Sequence, residues 1–221
     1  KLPYQIHDFL TLKIPAKISK YVIATSNVEF QDCKKFGISE NKLKLIPLSF
    51  NPPDISKSPK KPIKKTRLLF VGRIVPLKNL DVLLKAIQII KKDIPDIEFI
   101  IVGDEISGRL RGDTGYKKQL VSLVKTLDIE ENVKFVGWKT DKELWEIYLK
   151  SDLFLFASTY ENFGLPLLEA AYFGLPLVST DVGVARDLIK ENEGGSLISK
   201  LDANEFARMI IKLLKNESKY N

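Results

Sequence analysis

The sequence predicts an α/β fold, a Rossmann-like parallel sheet with helices on both faces, on three observations. From Arg67 onward, short apolar runs alternate with longer amphipathic segments of helical period. The apolar runs read as strands buried on both sides, the habit of parallel sheets joined by helices. Gly72, Gly103 and Gly137 follow three of these runs, at the carboxyl ends of strands, where open sheets of this kind hold ligands.

The elements follow in order. Residues Lys1 to Ile18 place apolar side chains at Ile6, Phe9, Leu10, Leu12 and Ile14 before Pro15, and predict a helix or an irregular segment. Tyr21 to Thr25 reads as a strand, Ser26 as a helix cap, Val28 to Phe36 as a helix stopped by Gly37, and Lys42 to Ile46 as a second strand. Asn51 to Lys65 (NPPDISKSPKKPIKK) is rich in Pro, Ser and Lys and has no apolar period. It reads as a solvated linker rather than a lipid-binding stretch, because its prolines spoil an amphipathic helix.

The second unit then predicts strands at 68–72, 97–103, 133–137, 153–157, 175–180 and 195–198. Between and after them it predicts helices at 80–92, 116–127, 141–150, 167–173, 185–189 and 203–214. In the last helix Phe206, Met209, Ile210, Leu213 and Leu214 share one side, the side expected to face the core. The organisation expected is a first segment over 1–50, a linker over 51–66 and a nucleotide-binding unit over 67–221.

Composition narrows the function. At 221 residues and 44% hydrophobic content the chain can bury one good-sized core or two small ones. Its single cysteine, Cys33, excludes an internal disulfide and a cysteine-built zinc site. The lone His7 leaves no histidine pair for a metal and reads as a surface residue. No apolar run approaches the ~20 residues that span a bilayer, and Lys1-Leu2-Pro3 lacks a signal-peptide layout. The expectation is a cytoplasmic domain, with membrane association at the cytoplasmic face left open. A formal charge of +7 suits an anionic ligand, an anionic membrane surface or nucleic acid. The basic residues are dispersed outside the Lys57 to Arg67 cluster, so nucleic acid is not expected as a partner.

Ser158 to Glu169 (STYENFGLPLLE) organises the chemistry. A strand leads into it and a helix leaves it, opened by Pro166 at a position where a missing N–H costs nothing. Free amides at Phe163, Gly164 and Leu165 are then expected at the helix N-terminus, where orphan donors and the positive end of the helix dipole favour an anion. Glu161 on the turn and Glu169 one helical turn later add two acceptors that can face one ligand. Hydroxyls and phosphates in one molecule match that set, and a nucleotide-sugar carries both. Near the first strand end, Arg73 and Lys78 could neutralise a diphosphate, Arg through its planar fork and Lys as a point charge. The plainer reading makes Arg73 a structural ion-pair former and Lys78 a solvated loop residue.

Glu161 to Ala170, followed by Gly174-Leu175-Pro176 and an apolar strand, resembles the Glu-x7-Glu signature of family 4 retaining glycosyltransferases, which have the GT-B fold. Gly72-Arg73 with Lys78-Asn79 is similar to that family's Val-Gly-Arg-x5-Lys-(Gly or Asn) loop. The resemblance implies that this chain is the C-terminal, donor-binding half of such an enzyme. A sugar would pass from a UDP-, GDP- or ADP-sugar to an acceptor hydroxyl, with retention and without a metal or other cofactor. It implies catalytic roles for Arg73, Lys78 and Glu161, and donor contacts from Gly72, Trp138, Lys139, Asn162, Phe163, Gly164, Leu165 and Glu169, the last on the ribose. It also implies an acceptor-binding N-terminal domain, on the same or another chain, without which this chain is expected to be inactive.

The departures from the family pattern are specific. Gly103-Asp104-Glu105 replaces Gly-x-Gly, Ile46 to Asn51 departs from Ile-Pro-Asn-Gly-Val-Asp, and of Gly-Gly-x-x-Glu only Gly183 and Asp187 correspond. Trp138 either stacks on a base or covers the sheet edge, with packing favoured. Other classes stay in view: a non-catalytic nucleotide-sugar-binding or partner subunit, and a GT-B epimerase or phosphorylase. The first is separated from an enzyme by whether transfer appears when an N-terminal domain is added. The second lacks recognisable acid and base groups, or the length that a phosphorylase needs.

Overall fold

The computed structural model describes residues 11, 13–54, 65–105, 115–190 and 194–215. The expectations placed on His7 and on most of the linker lie outside these residues. After a short helix α1 (Ile14–Ile18), strand β1 (Val22–Ala24) pairs in parallel with β2 (Leu43–Leu45), and α2 (Asn27–Lys35) joins them. Ser26 caps α2 by accepting from the amide of Glu29 at 3.2 Å, and the Glu29 carboxylate returns to the amide and hydroxyl of Thr25. This reciprocal arrangement satisfies donors that the helix geometry leaves without partners.

The second sheet is parallel throughout, in the order β5-β4-β3-β6-β7-β8. Its strands are β3 (Thr66–Val71), β4 (Ile97–Val102), β5 (Val133–Gly137), β6 (Leu153–Phe156), β7 (Leu177–Thr180) and β8 (Gly195–Ile198). The helices that follow are α3 (Leu80–Lys91), α4 (Tyr116–Thr126), α5 (Asp141–Leu149), α6 (Leu165–Tyr172), α7 (Ala185–Leu188) and α8 (Ala203–Lys215). The chain steps outward from β3 to β5, then returns to the other side of β3 at β6. Strand order thus reverses between β3 and β6, and the connections leaving their carboxyl ends diverge and open a crevice.

Burial explains the strand composition. Leu68, Leu69 and Phe70 of β3, Phe99 and Ile101 of β4, and Phe154 and Leu155 of β6 are fully inaccessible. Each such side chain contributes roughly 1.5–3 kcal/mol on removal from water. Helix α8 packs on α3 and buries Phe206, Ile210 and Leu213, as its apolar stripe predicts.

One charge lies inside the sheet. Glu98 is 2% exposed and bonds the Arg67 guanidinium at 2.7 Å and the Lys134 ammonium. Burial alone would raise its pKa, but the hydrogen bonds and charges of Lys134 and Arg67 outweigh it and hold the carboxyl below its ordinary value.

Element ends differ from the sequence reading by a residue or two. The run expected to start at Leu175 enters the sheet at Leu177, because the Leu175 amide instead bonds the Ala170 carbonyl and closes the end of α6.

Candidate functional site

Two loops meet at the β3–β6 crevice, one after each strand. After β3 the chain passes Gly72 and the exposed Arg73, makes one 3-10 turn over Pro76–Lys78, and enters α3 at Leu80 with Asn79 as its N-cap. Asn79 adopts the left-handed conformation at φ 48°, which asparagine tolerates better than most residues. Its side-chain amide donates to the Ala157 carbonyl at 2.8 Å and the Thr159 hydroxyl at 2.6 Å, while the Thr159 amide donates to the Leu77 carbonyl at 2.9 Å. The first loop is thereby bonded to the chain leaving β6.

That bonding brings Lys78 onto Glu161. Lys78 is 7% exposed, its ammonium bonds the Glu161 carboxylate, and it also lies 4.9 Å from the centre of the Phe156 ring. A cation over an aromatic face and beside a carboxylate is held by two attractions. Lys78 is therefore not the solvated loop residue of the plainer sequence reading. Arg73 is exposed in the same loop and has no ion-pair partner among the described residues.

Asn162 to Leu165 form the turn into α6. Gly164 takes φ 85° at the helix N-cap, a conformation that disfavours side chains, and Pro166 occupies the first turn. Among the described residues, the amides of Phe163, Gly164 and Leu165 donate to no other group. The Phe163 carbonyl accepts from the Val184 amide at 2.7 Å. Gly183 fits so closely beneath it that a β-carbon there would stand 2.2 Å from the Phe163 oxygen. Sequence reasoning drew little from the Gly183 loop, yet this backbone contact braces the turn. Its signal was the glycine itself.

Glu169 lies deeper than its expected place facing a ligand beside Glu161. It is 8% exposed and accepts a hydrogen bond at 2.8 Å from the hydroxyl of Tyr148, a fully buried residue stacked on Phe173. Burial raises the Glu169 carboxyl above its usual range, and the Tyr148 bond opposes that only in part. Burial, the Glu169 charge and the shared hydrogen bond together raise the Tyr148 hydroxyl well above its ordinary value. Tyr148 carried no signal in the sequence beyond its apolar place on a helix.

The remaining expected residues are more dispersed. Trp138 follows β5, is 52% exposed and makes no ring contact with another described residue, which corrects the expectation that it packs over the sheet edge. Lys139 pairs with Glu143 at 3.2 Å on the first turn of α5. Asp104 bonds Lys117 at 2.8 Å, and Glu105 accepts from the amides of Tyr116 and Lys117 at the start of α4. A carboxylate thus occupies the N-terminus of α4, while that of α6 keeps its donors. Asp187 accepts from the Asn27 side chain at 2.6 Å. Among the described residues no group of His, Cys, Asp and Glu side chains could hold a metal ion, and no helix is long and apolar enough to cross a membrane.

The family Glycosyl transferases group 1 matches residues 52–221. An uncharacterised 41.2 kDa protein from the cps region of Klebsiella pneumoniae is 29% identical over 90% of this chain and 53% of its own length. The D-inositol 3-phosphate glycosyltransferase of Mycobacterium sp. (strain KMS) is 32% identical over 68% of this chain and 33% of its own. The chain therefore spans about half, or less, of the length of these relatives.

Among solved structures, Anabaena HepE in complex with UDP and glucose superposes with a TM-score of 0.78 at 22% identity, covering 96% of this chain and 58% of that one. The pneumococcal O-GlcNAc transferase GtfA, in complex with UDP and GlcNAc, gives 0.75 at 25% identity, covering 96% and 40%. The parallel six-stranded sheet and its flanking helices have the architecture of the C-terminal half of the GT-B fold. With the family match spanning residues 52–221, a range that includes both loops of the crevice and the strands of the second sheet, the chain belongs to the glycosyl transferases group 1.

Proposed function

We propose that this chain supplies the donor-binding half of a retaining glycosyltransferase, which moves a sugar from a nucleoside diphosphate to an acceptor hydroxyl. The observation that carries the reading is the Lys78–Glu161 pair spanning the β3–β6 crevice, with Arg73 in the same loop. UDP is the favoured diphosphate, since two structural neighbours hold it together with a sugar. In this reading residues 67–221 form the donor unit, 1–50 close an acceptor-side domain, 51–66 link the two, and the chain alone does not complete transfer.

The roles follow from where charge develops. As the bond from the anomeric carbon to the diphosphate breaks, negative charge grows on the leaving oxygen. Groups that act on that charge bind the transition state more strongly than the bound donor, and so lower the barrier. Arg73, Lys78 and the amides of Asn162 to Leu165 perform that task. Glu161, held by Lys78, accepts from the sugar hydroxyls, Glu169 accepts from the ribose, and Gly72, Trp138 and Lys139 border the nucleotide.

Thermal unfolding with a panel of UDP-, GDP- and ADP-sugars tests the reading. A ligand at about 100 times its Kd stabilises the fold by ~2.7 kcal/mol. Arg73→Ala and Lys78→Ala are each expected to weaken UDP binding by about 1–3 kcal/mol, the scale of a lost charge-assisted bond. Unchanged affinity in both variants discards the diphosphate assignment.

A further inference from the structure

We propose that Ser26 and Asn27, which precede the segment matched to the family, are positioning residues that clamp the Glu161 turn from the start of α2. This rests on the donor reading above. Ser26 is 1% exposed, and its hydroxyl donates to the Asn162 carbonyl at 2.8 Å while accepting from the Glu29 amide at 3.2 Å. A hydroxyl has one hydrogen to give, and Ser26 gives it across 136 positions of sequence to the residue next to Glu161. The donor is buried although Asn162 is exposed, so the hydroxyl has little access to water as an alternative partner and holds the turn more firmly than a fully exposed contact does.

The second point of the clamp acts through α7. The Asn27 side chain donates to one Asp187 oxygen at 2.6 Å, and its backbone amide approaches the other at 3.4 Å. The carboxylate lies at the positive end of α2, where charge and helix dipole attract. Asp187 is four residues beyond Gly183, whose backbone fits under Phe163, and three beyond Val184, whose amide holds the Phe163 carbonyl. One bond grips the turn at Asn162 and the other steadies its support. The Lys78 side of the pair is held separately by Asn79 and Leu77. Loss of the clamp therefore releases Glu161 and the Asn162–Leu165 amides while leaving the cationic loop in place.

Substitutions at Ser26 separate the clamp from the helix cap. Ser26→Asp retains an acceptor for the Glu29 amide but cannot donate to Asn162, whereas Ser26→Thr keeps both functions. Hydrogen exchange of the 160–166 segment, measured without ligand, is expected to speed up about tenfold or more in Ser26→Asp and to stay at the wild-type rate in Ser26→Thr. Asn27→Ala is expected to act in the same direction, and Lys34→Ala, which removes a pair between the far end of α2 and Glu40 in the turn beyond it, to leave the segment unchanged. Binding of UDP-glucose or UDP-GlcNAc, whichever stabilises the wild type, should weaken about tenfold in Ser26→Asp. UDP itself, which keeps Arg73 and Lys78 and never meets Glu161 through a sugar, should weaken less than the UDP-sugar does. Wild-type exchange rates in both Ser26→Asp and Asn27→Ala would overturn the clamp. A wild type that binds no nucleotide discards the donor reading, while the exchange rates still decide the clamp.

Discussion

Replacing Gly183 by alanine isolates the contact under the Phe163 carbonyl. Two costs add at that position. The backbone sits at φ 53°, in the left-handed region that costs an L-residue roughly 1–2 kcal/mol. The new methyl would also stand 2.2 Å from the Phe163 oxygen and 2.6 Å from its carbon, so the backbone of the Glu161 turn must shift, at the ~1–3 kcal/mol typical of overpacking. The sum is about 2–5 kcal/mol, or roughly 4–20 °C of Tm for a chain of this size. Gly174→Ala is the matched control, because φ there is 71° but nothing lies within 4 Å of the added carbon. It should cost the conformational part alone, about 1–2 kcal/mol. Urea unfolding of the two variants, with m unchanged, reads the difference directly. If Gly183→Ala is no more destabilised than Gly174→Ala, the packing argument for the turn is wrong.

Two acids give further expectations, of opposite sign. Burial raises the Glu169 carboxyl in the folded chain, so its contribution to stability is present below the unfolded value and lost as pH rises through the folded one. The same titration creates the ionised acceptor that the ribose would meet. UDP-sugar affinity should therefore rise as pH climbs above the usual carboxylate range, and titration calorimetry should find that rise absent in Glu169→Gln. For Glu98 the folded value is lowered, so its stabilisation is present above the unfolded value and lost as pH falls through the folded one. Glu98→Gln should cost about 1.5–3 kcal/mol near neutrality, where the charge-assisted bonds to Arg67 and to the largely exposed Lys134 are weakened. The gap to wild type should narrow in acid, as circular dichroism of urea unfolding at several pH values would show.

The strands of the second sheet were legible because parallel strands buried on both faces leave continuous apolar runs that nothing else in a soluble chain requires. Helix α8 was legible for a similar reason, since Phe206, Ile210 and Leu213 recur at a helical interval. At the site, Glu161 and Lys78 could be proposed from residue type and from their places after strands. Their direct contact depends on Asn79 bonding Ala157 and Thr159, a tertiary arrangement with no local sequence signal. Glu169 shows the opposite difficulty. A carboxylate one turn into a helix reads as facing outward with its neighbour, but the ring of Tyr148, supplied by another helix, draws it into the core. The half-exposed Trp138 likewise could not be told from a packed indole, because the residue type is common to both situations.

The stretch that leaves β2 gives the chain a pair of built-in optical probes. Phe50 packs at 5.9 Å from Trp145 and 5.6 Å from Tyr172, and the Tyr172 hydroxyl reaches the Pro53 carbonyl at 2.8 Å. Trp145 also stacks on Tyr148, the partner of Glu169. The chain has two tryptophans: the partly buried indole of Trp145 packs among rings where the polypeptide leaves β2, and the half-exposed indole of Trp138 follows β5. Emission from the first reports on that stretch and emission from the second on its own surroundings, so one spectrum of the unlabelled protein can follow both places at once.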